Sequence, residues 1–271
     1  MKNSSRLQIF GIVNITRDSF SDGGRFLQAD RAIAHARAQL DAGADVLDIG
    51  AAASNPGAEH VPPDEEIARL KPLLQAGFPL ERISIDSFAA ETQAWALEQG
   101  VGWVNDIQGF PDAALYPRLA ASPARLVVMH NIVRRGIAQI RDTNPADIMR
   151  ELFAFFDERV DALQRAGVAR ERLVLDPGMG HFLGRDPEVS LTVLRNLGTL
   201  AARYSLPLLV SVSRKSFVRN LAGVDVAGSG AATLAAELFA ASRGAAILRT
   251  HDVRALRQAL DVWQPMVGTG A

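Results

Sequence analysis

Eight times along the chain, a short apolar run rich in β-branched residues stops at a polar residue and gives way to small residues or a helix-forming segment. The clearest case is Leu173-Val174-Leu175-Asp176-Pro177-Gly178-Met179-Gly180. Pro177 has no N–H for a ladder, so the strand stops there and Asp176 faces a loop. Comparable runs cover 7–13, 46–49, 83–87, 103–107, 125–129, 206–210 and 245–248. Amphipathic or helix-forming segments are expected at 30–42, 63–74, 89–99, 146–165, 187–196, 231–241 and from 253 to about 263. Short continuous apolar strands alternating with helices predict a parallel sheet covered on both faces. Eight such units close it on itself. The expected fold is α/β, a TIM (β/α)8 barrel, with residues 1–271 as a single domain.

The length of 271 residues is routine for one such barrel. Hydrophobic residues at 48% and charged residues at 22% are ordinary for a globular chain. A net charge of −1 offers no basic field for nucleic acid or anionic membrane, so neither partner is expected. The chain has no cysteine, which excludes disulfides, thiolate metal sites and a cysteine nucleophile. No apolar run reaches the roughly 18 residues of a spanning helix. Residues 1–6 do not read as a signal peptide, so the cytoplasm is the expected location. The segment 131–144, rich in Arg and Gly, is the expected mobile loop.

In a parallel barrel every strand's C-terminal end lies on one face, where sites are built. The residues gathered there are Asn14, Asp48, Asp86, Asn105, Asp106, His130, Asp176, Lys215, Arg249 and His251. Any one has a plain alternative: Asp and Asn after strands often cap the next helix, and His130 reads equally as a core histidine. Together they form a ring. Asp86, Asn105 and Asp176 supply acceptors suited to a planar heterocycle bearing amino and ring N–H donors. Arg249, His251 and the amides of Gly23-Gly24 suit a phosphate or diphosphate. Asn14 with Asp18 or Asp22 suits a hard cation such as Mg²⁺. No Ser/His/Asp nucleophile pattern and no G-x-G-x-x-G fingerprint is present.

The blocks Gly11-Ile12-Val13-Asn14, Asp18-Ser19-Phe20-Ser21-Asp22-Gly23-Gly24, Asp48-Ile49-Gly50 with Asn55-Pro56-Gly57, Ile85-Asp86-Ser87, Asn105-Asp106-Ile107, Asp176-Pro177-Gly178-Met179-Gly180, Ser213-Arg214-Lys215-Ser216 and Arg249-Thr250-His251 occur in order. This series resembles dihydropteroate synthase over essentially the whole chain. The resemblance implies a TIM barrel that condenses 6-hydroxymethyl-7,8-dihydropterin diphosphate with p-aminobenzoate. The products are 7,8-dihydropteroate, a folate precursor, and diphosphate. It implies pterin contacts at Asp86, Asn105, Asp176 and Lys215, and diphosphate contacts at Asn14, Arg249 and His251. Lys215 and Ser216 would line the p-aminobenzoate pocket, Asn14 would contact Mg²⁺ as cofactor, and the enzyme would be a homodimer.

Three departures from the family pattern fall on the p-aminobenzoate side. Ser54-Asn55-Pro56 lacks the usual Arg before the Pro. Gly180-His181-Phe182-Leu183-Gly184 lacks the usual Lys, and His130-Asn131 replaces a Met-rich stretch. In Ser54-Asn55-Pro56, the stretch 105–114, Pro177-Gly178-Met179-Gly180 with Phe182-Leu183, and the stretch 211–217, the chain resembles the mobile sulfonamide-resistance branch of the family. That likeness implies reduced sulfonamide affinity, with the drug's sulfonyl substituent clashing near Phe182. Two rival readings share the pterin contacts: a methyltetrahydrofolate:corrinoid methyltransferase, and a silent paralogue without turnover. The first has no need of Ser213-Arg214-Lys215 or the Arg249/His251 pair. The second is favoured by the missing Arg before Pro56.

Overall fold

The structure is a computed structural model that describes residues 6–15, 24–52, 61–132 and 143–268, with the backbone alone for 24–28. The strands are β1 Gln8–Asn14, β2 Val46–Gly50, β3 Ile83–Asp86, β4 Trp103–Asp106, β5 Arg125–Met129, β6 Leu173–Asp176, β7 Leu209–Val210 and β8 Ile247–Thr250. The helices are α1 Gly24–Asp41, α2 Pro63–Leu74, α3 Ala90–Gln99, α4 Tyr116–Ala121, α5 Ile148–Arg165, α6 Pro187–Arg195, α7 Leu197–Tyr204, α8 Ser216–Ala222, α9 Gly230–Ser242 and α10 Val253–Val267.

All eight strands run parallel in the order β6-β5-β4-β3-β2-β1-β8-β7. The ring closes between β6 and β7 through a single bridge, Leu175 to Leu208, where the Leu175 N–H donates to the Pro207 carbonyl at 3.0 Å. The fold is therefore the expected TIM barrel in one domain. Side chains alternate between two environments, as a strand's period of two requires. Phe10, Val46, Trp103, Val127, Val174, Leu209 and Ile247 meet inside the ring as an apolar floor. Phe10 and Trp103 pack edge to face there at 4.9 Å. The outward residues, among them Ile9, Leu47, Ile49, Ile85 and Leu126, join the buried helix faces in the larger core.

Above the floor the same inward positions become polar. The register sets Asn14, Gly50, Asp86 and Asn105 in one row across β1 to β4. This row and its neighbours on β6, β7 and β8 form the barrel's mouth.

Some elements differ from expectation. Strand β7 is two residues long, because Pro207 within the expected 206–210 run offers no N–H. Strand β8 runs later than expected and takes in Arg249 and Thr250. The helix after β4 is only six residues, Tyr116–Ala121, too short for a periodic pattern to be visible. Helices α7 and α8 are additional. Most of the expected mobile segment lies outside the described residues. Among them, no single helix is long and apolar enough to cross a membrane.

Candidate active site

A cavity of about 350 Å³ opens at the mouth. Asn14, Asp86, Asn105, Asp176, Phe182, Lys215, Arg249 and His251 all line it. Ile12, Gly50, Ala52, Ile107, Met129, Met179, Ser211, Ser213, Arg214 and Val226 complete its described lining. The structure thus brings together most of the residues expected from the strand ends.

Arg249 is the electrostatic centre. Its Nε donates to Asp48 Oδ2, and its second guanidinium nitrogen donates to Asp86 Oδ2 at 2.6 Å. Asp48 is fully buried and also accepts from Ser84 Oγ at 2.6 Å and, more weakly, from Asn105 Nδ2 at 3.4 Å. A buried cation held by two carboxylates is a fixed strut, because removing either partner leaves an unpaired charge in a low dielectric. Burial pushes the Asp86 carboxyl upward and the adjoining guanidinium draws it back. Asn105 spends its amide N–H on Asp48, and its buried Oδ1 has no partner among the described residues.

Asp176 sits across the mouth, buried, and accepts the Gly178 N–H at 2.8 Å. Burial raises its pKa to about 6, against the pull of that N–H and of Lys215. The Asp-Pro-Gly turn depends on Gly178: its φ is +73°, and a Cβ would lie 2.5 Å from the His130 carbonyl oxygen. Lys215 reaches in from the loop after β7, the strand beside β6. Burial lowers its pKa to about 8, with Arg249 adding repulsion. Its ammonium stands 4.7 Å from the centre of the Phe182 ring. Phe182 is buried with Ile107 and Met129.

His251 is held by Ser213, whose Oγ lies 3.0 Å from Nδ1 and accepts the His251 backbone N–H at 3.2 Å. Burial, with Arg214, Arg249 and Lys215 nearby, drives its pKa down to about 3. The imidazole is therefore neutral and has one ring N–H to donate. Arg214 holds φ +57°, an unusual backbone for a non-glycine residue at a site, and its N–H donates to Thr233 Oγ1 at 3.2 Å.

Several expected residues fall elsewhere. Ser216 begins α8 outside the cavity lining, with its Oγ, like the Lys215 side chain, 3.7 Å from a Cβ placed on Gly180. Asp106 points out of the ring and accepts the N–H groups of Gln108 at 2.7 Å and Phe110 at 3.0 Å, so it builds the following loop. His130 is buried edge to face on Phe155 at 5.0 Å, outside the cavity lining. Ser54, Asn55, Pro56, Asp18 and Asp22 lie outside the described residues. Among those described, no group of three His, Asp or Glu side chains could hold a metal. Asn14 does line the cavity, and a magnesium ion that keeps water and phosphate oxygens needs few protein ligands. Sequence reasoning gave Asp48 no role, although it stood among the strand ends; only the register shows that it points at Arg249. It also gave Arg214 none of its own, although its motif was noted.

Residues 10–251 match the family of pterin binding enzymes. A dihydropteroate synthase type-2 of Escherichia coli is 56% identical over 260 residues, 94% of each chain. The chain belongs to the dihydropteroate synthase family. A type-1 dihydropteroate synthase of Mycolicibacterium fortuitum is 52% identical, covering 94% of this chain and 91% of that one. The dihydropteroate synthase of Xanthomonas albilineans, solved with 4-aminobenzoic acid, superposes with a TM-score of 0.85 at 35% identity, over 97% of this chain and 94% of that one. That of Anaplasma phagocytophilum, solved with 6-hydroxymethylpterin-monophosphate, gives 0.82 at 36% identity, over 94% of this chain and 97% of that one.

Proposed function

We infer that the chain condenses 6-hydroxymethyl-7,8-dihydropterin diphosphate with p-aminobenzoate to give 7,8-dihydropteroate and diphosphate, as its family name implies. One observation carries the reading: Asn105, whose buried Oδ1 has no partner among the described residues, lines the same cavity as Asp86 and Asp176. Three acceptors in one small space need a ligand rich in N–H donors, and the amino-pyrimidine edge of a pterin is one.

In the reaction the bond from the exocyclic methylene to the diphosphate oxygen breaks, and diphosphate takes the electron pair. The amine lone pair of p-aminobenzoate then forms the new C–N bond, and the amine's proton passes to the departing diphosphate. Asp86 and Asp176 stabilise positive charge at the methylene-bearing ring. The His251 N–H, Lys215 and Arg214 face the leaving group, with Arg249 fixing Asp86 in place. Lys215 also borders the p-aminobenzoate side, and Ser216, Ser54, Asn55 and Pro56 are proposed there on the family pattern. Mg²⁺ at Asn14 would neutralise part of the diphosphate charge.

Reduced sulfonamide sensitivity is part of the reading. Phe182 stands in the wall beside Lys215, where a bulky sulfonyl substituent would meet it while the slimmer carboxylate passes. A homodimer is supported by exposed apolar residues on two adjacent helices, Phe239 on α9 with Val262 and Met266 on α10. A cytoplasmic location is proposed together with the activity. The test is diphosphate release with both substrates, repeated with sulfamethoxazole. Turnover that needs p-aminobenzoate, with a drug inhibition constant well above the p-aminobenzoate KM, is expected. Equal drug and substrate affinity would remove the resistance reading. Absence of turnover, together with failure to rescue a strain lacking dihydropteroate synthase, would favour the silent paralogue.

A further inference from the structure

Ser213 follows β7, His251 follows β8, and both line the cavity. Among the described residues the buried Ser213 Oγ has three hydrogen-bond neighbours: the His251 backbone N–H at 3.2 Å, Thr250 Oγ1 at 3.4 Å and His251 Nδ1 at 3.0 Å. A serine hydroxyl has two lone pairs to fill and one proton to give. The backbone N–H can only donate. Thr250 is fully buried, and its Oγ1 already accepts the Asp252 N–H at 3.3 Å. Its own proton therefore goes to Ser213 Oγ, the acceptor within reach. These two donors fill both lone pairs of Ser213 Oγ. The serine proton has one partner left, Nδ1, which must be bare to accept it. A protonated Nδ1, in the other neutral form or in the cation, would be a third donor aimed at an oxygen with no lone pair to offer.

We propose that Ser213 is a positioning residue that fixes His251 as the Nε2–H tautomer, so that the ring offers the cavity a donor and no lone pair. Nε2 is the ring nitrogen that Ser213 leaves for the cavity. Burial and the neighbouring cations Arg214, Arg249 and Lys215 act in the same direction, since they hold the ring neutral. The backbone of His251 is anchored separately. Gln39 Nε2, on α1, donates to the His251 carbonyl at 3.1 Å and also reaches the Ile12 carbonyl at 3.3 Å. Gln39 therefore sets where the residue sits, and Ser213 sets where its proton sits. A ring in this form can bind an anion such as diphosphate. At Nε2 it can neither take the proton of the p-aminobenzoate amine nor ligate a cation. The amine's proton must then reach the diphosphate without passing through this ring. The consequence for the substrate rests on the reading of His251 as a diphosphate-side donor, but the tautomer itself does not.

Nitrogen-15 NMR of the histidine rings at pH 7, with the His251 signals assigned by their loss in His251→Gln, tests this directly. In the unmodified protein His251 is expected as the neutral Nε2–H form, with Nδ1 at the shift of an acceptor that holds a hydrogen bond. Ser213→Ala removes that bond while Gln39 still ties the backbone, so the Nδ1 signal should leave its hydrogen-bonded position. Thr250→Val opens one lone pair on Ser213 and should bring in a share of the Nδ1–H form. Thr250 is not part of the described lining, so this variant also carries the kinetic test. Its KM for the dihydropterin diphosphate should rise by up to about tenfold, the loss expected for one hydrogen bond to a charged group. The p-aminobenzoate KM should stay put. Finding His251 as the Nδ1–H form or as the cation in the unmodified protein would overturn the proposal. So would ring signals that stay unchanged in Ser213→Ala. Thr250→Val keeps the side-chain shape, so it decides in the same way if Ser213→Ala fails to fold. Changed ring signals with an unchanged KM would uphold the role of Ser213 and contradict the diphosphate role of His251.

Discussion

Neighbouring residues at one strand end can have opposite fates. Asn105 points into the ring and lines the cavity, while Asp106, one residue later, points out and ties down a loop. Both are polar groups after an apolar run, so the sequence singles out both. What separates them is the parity of the strand, which becomes definite once the register across β3 and β4 is known. Asp48 was obscure for the same reason. Asp176 was legible because Pro177 marks its strand's end. Its burial has a consequence for stability. The carboxyl titrates near 6 in the folded chain against 3.8 in the unfolded one. The folded state thus holds this proton more tightly, and its contribution is lost as pH rises from about 4 to 6. Asp176→Asn keeps an oxygen for the Gly178 N–H and escapes that loss. It should be more stable than the parent by about 2–3 kcal/mol at pH 8. By calorimetry that is a Tm higher by about 5 °C, an advantage that disappears below pH 4. A lower Tm at pH 8 would mean that the charge is well solvated or paired.

At the scale of elements, the long pieces were readable and the short ones were not. Helix α5 carries Leu152, Phe155, Phe156, Val160 and Leu163 on one buried face, a pattern clear in sequence. Helix α4 begins after a short turn capped by Asp112, whose Oδ1 accepts the Ala114 N–H at 2.9 Å, and has no room for such a pattern. The turn after β6 holds Asp176 to the His130 backbone, with the His130 N–H donating to the Asp176 carbonyl at 2.8 Å. Gly178→Ala would force a positive φ on alanine and press its Cβ on the His130 carbonyl. A loss of at least about 1–3 kcal/mol in denaturant unfolding is expected. A neutral effect would show that the turn can relax. The β6–β7 seam is the weakest join in the ring, because one bridge does what the β1–β2 pair does with five aligned residue pairs. Native-state hydrogen exchange should find the Leu175 amide less protected than those of Ile12 and Leu47. Equal protection would mean that the barrel opens only as a whole.

For the whole molecule, the fold was legible because eight repeats of one pattern admit few topologies. The site was legible as a set of strand ends, since the barrel gathers them whatever their spacing. Their division of labour was not. It depends on a buried arginine clamped by two carboxylates and on an imidazole stripped of its charge, neither of which leaves a mark in one dimension. The resulting design places an apolar floor beneath a polar mouth, so charge chemistry proceeds in a confined space with anchored dipoles. Its central claim is that the mouth's carboxylates stabilise the cation formed as diphosphate leaves. The most direct measurement is the rate of diphosphate release by Asp176→Asn with both substrates saturating. The account predicts a folded, thermally stable protein slowed by about 100-fold or more; a rate near that of the parent would contradict it.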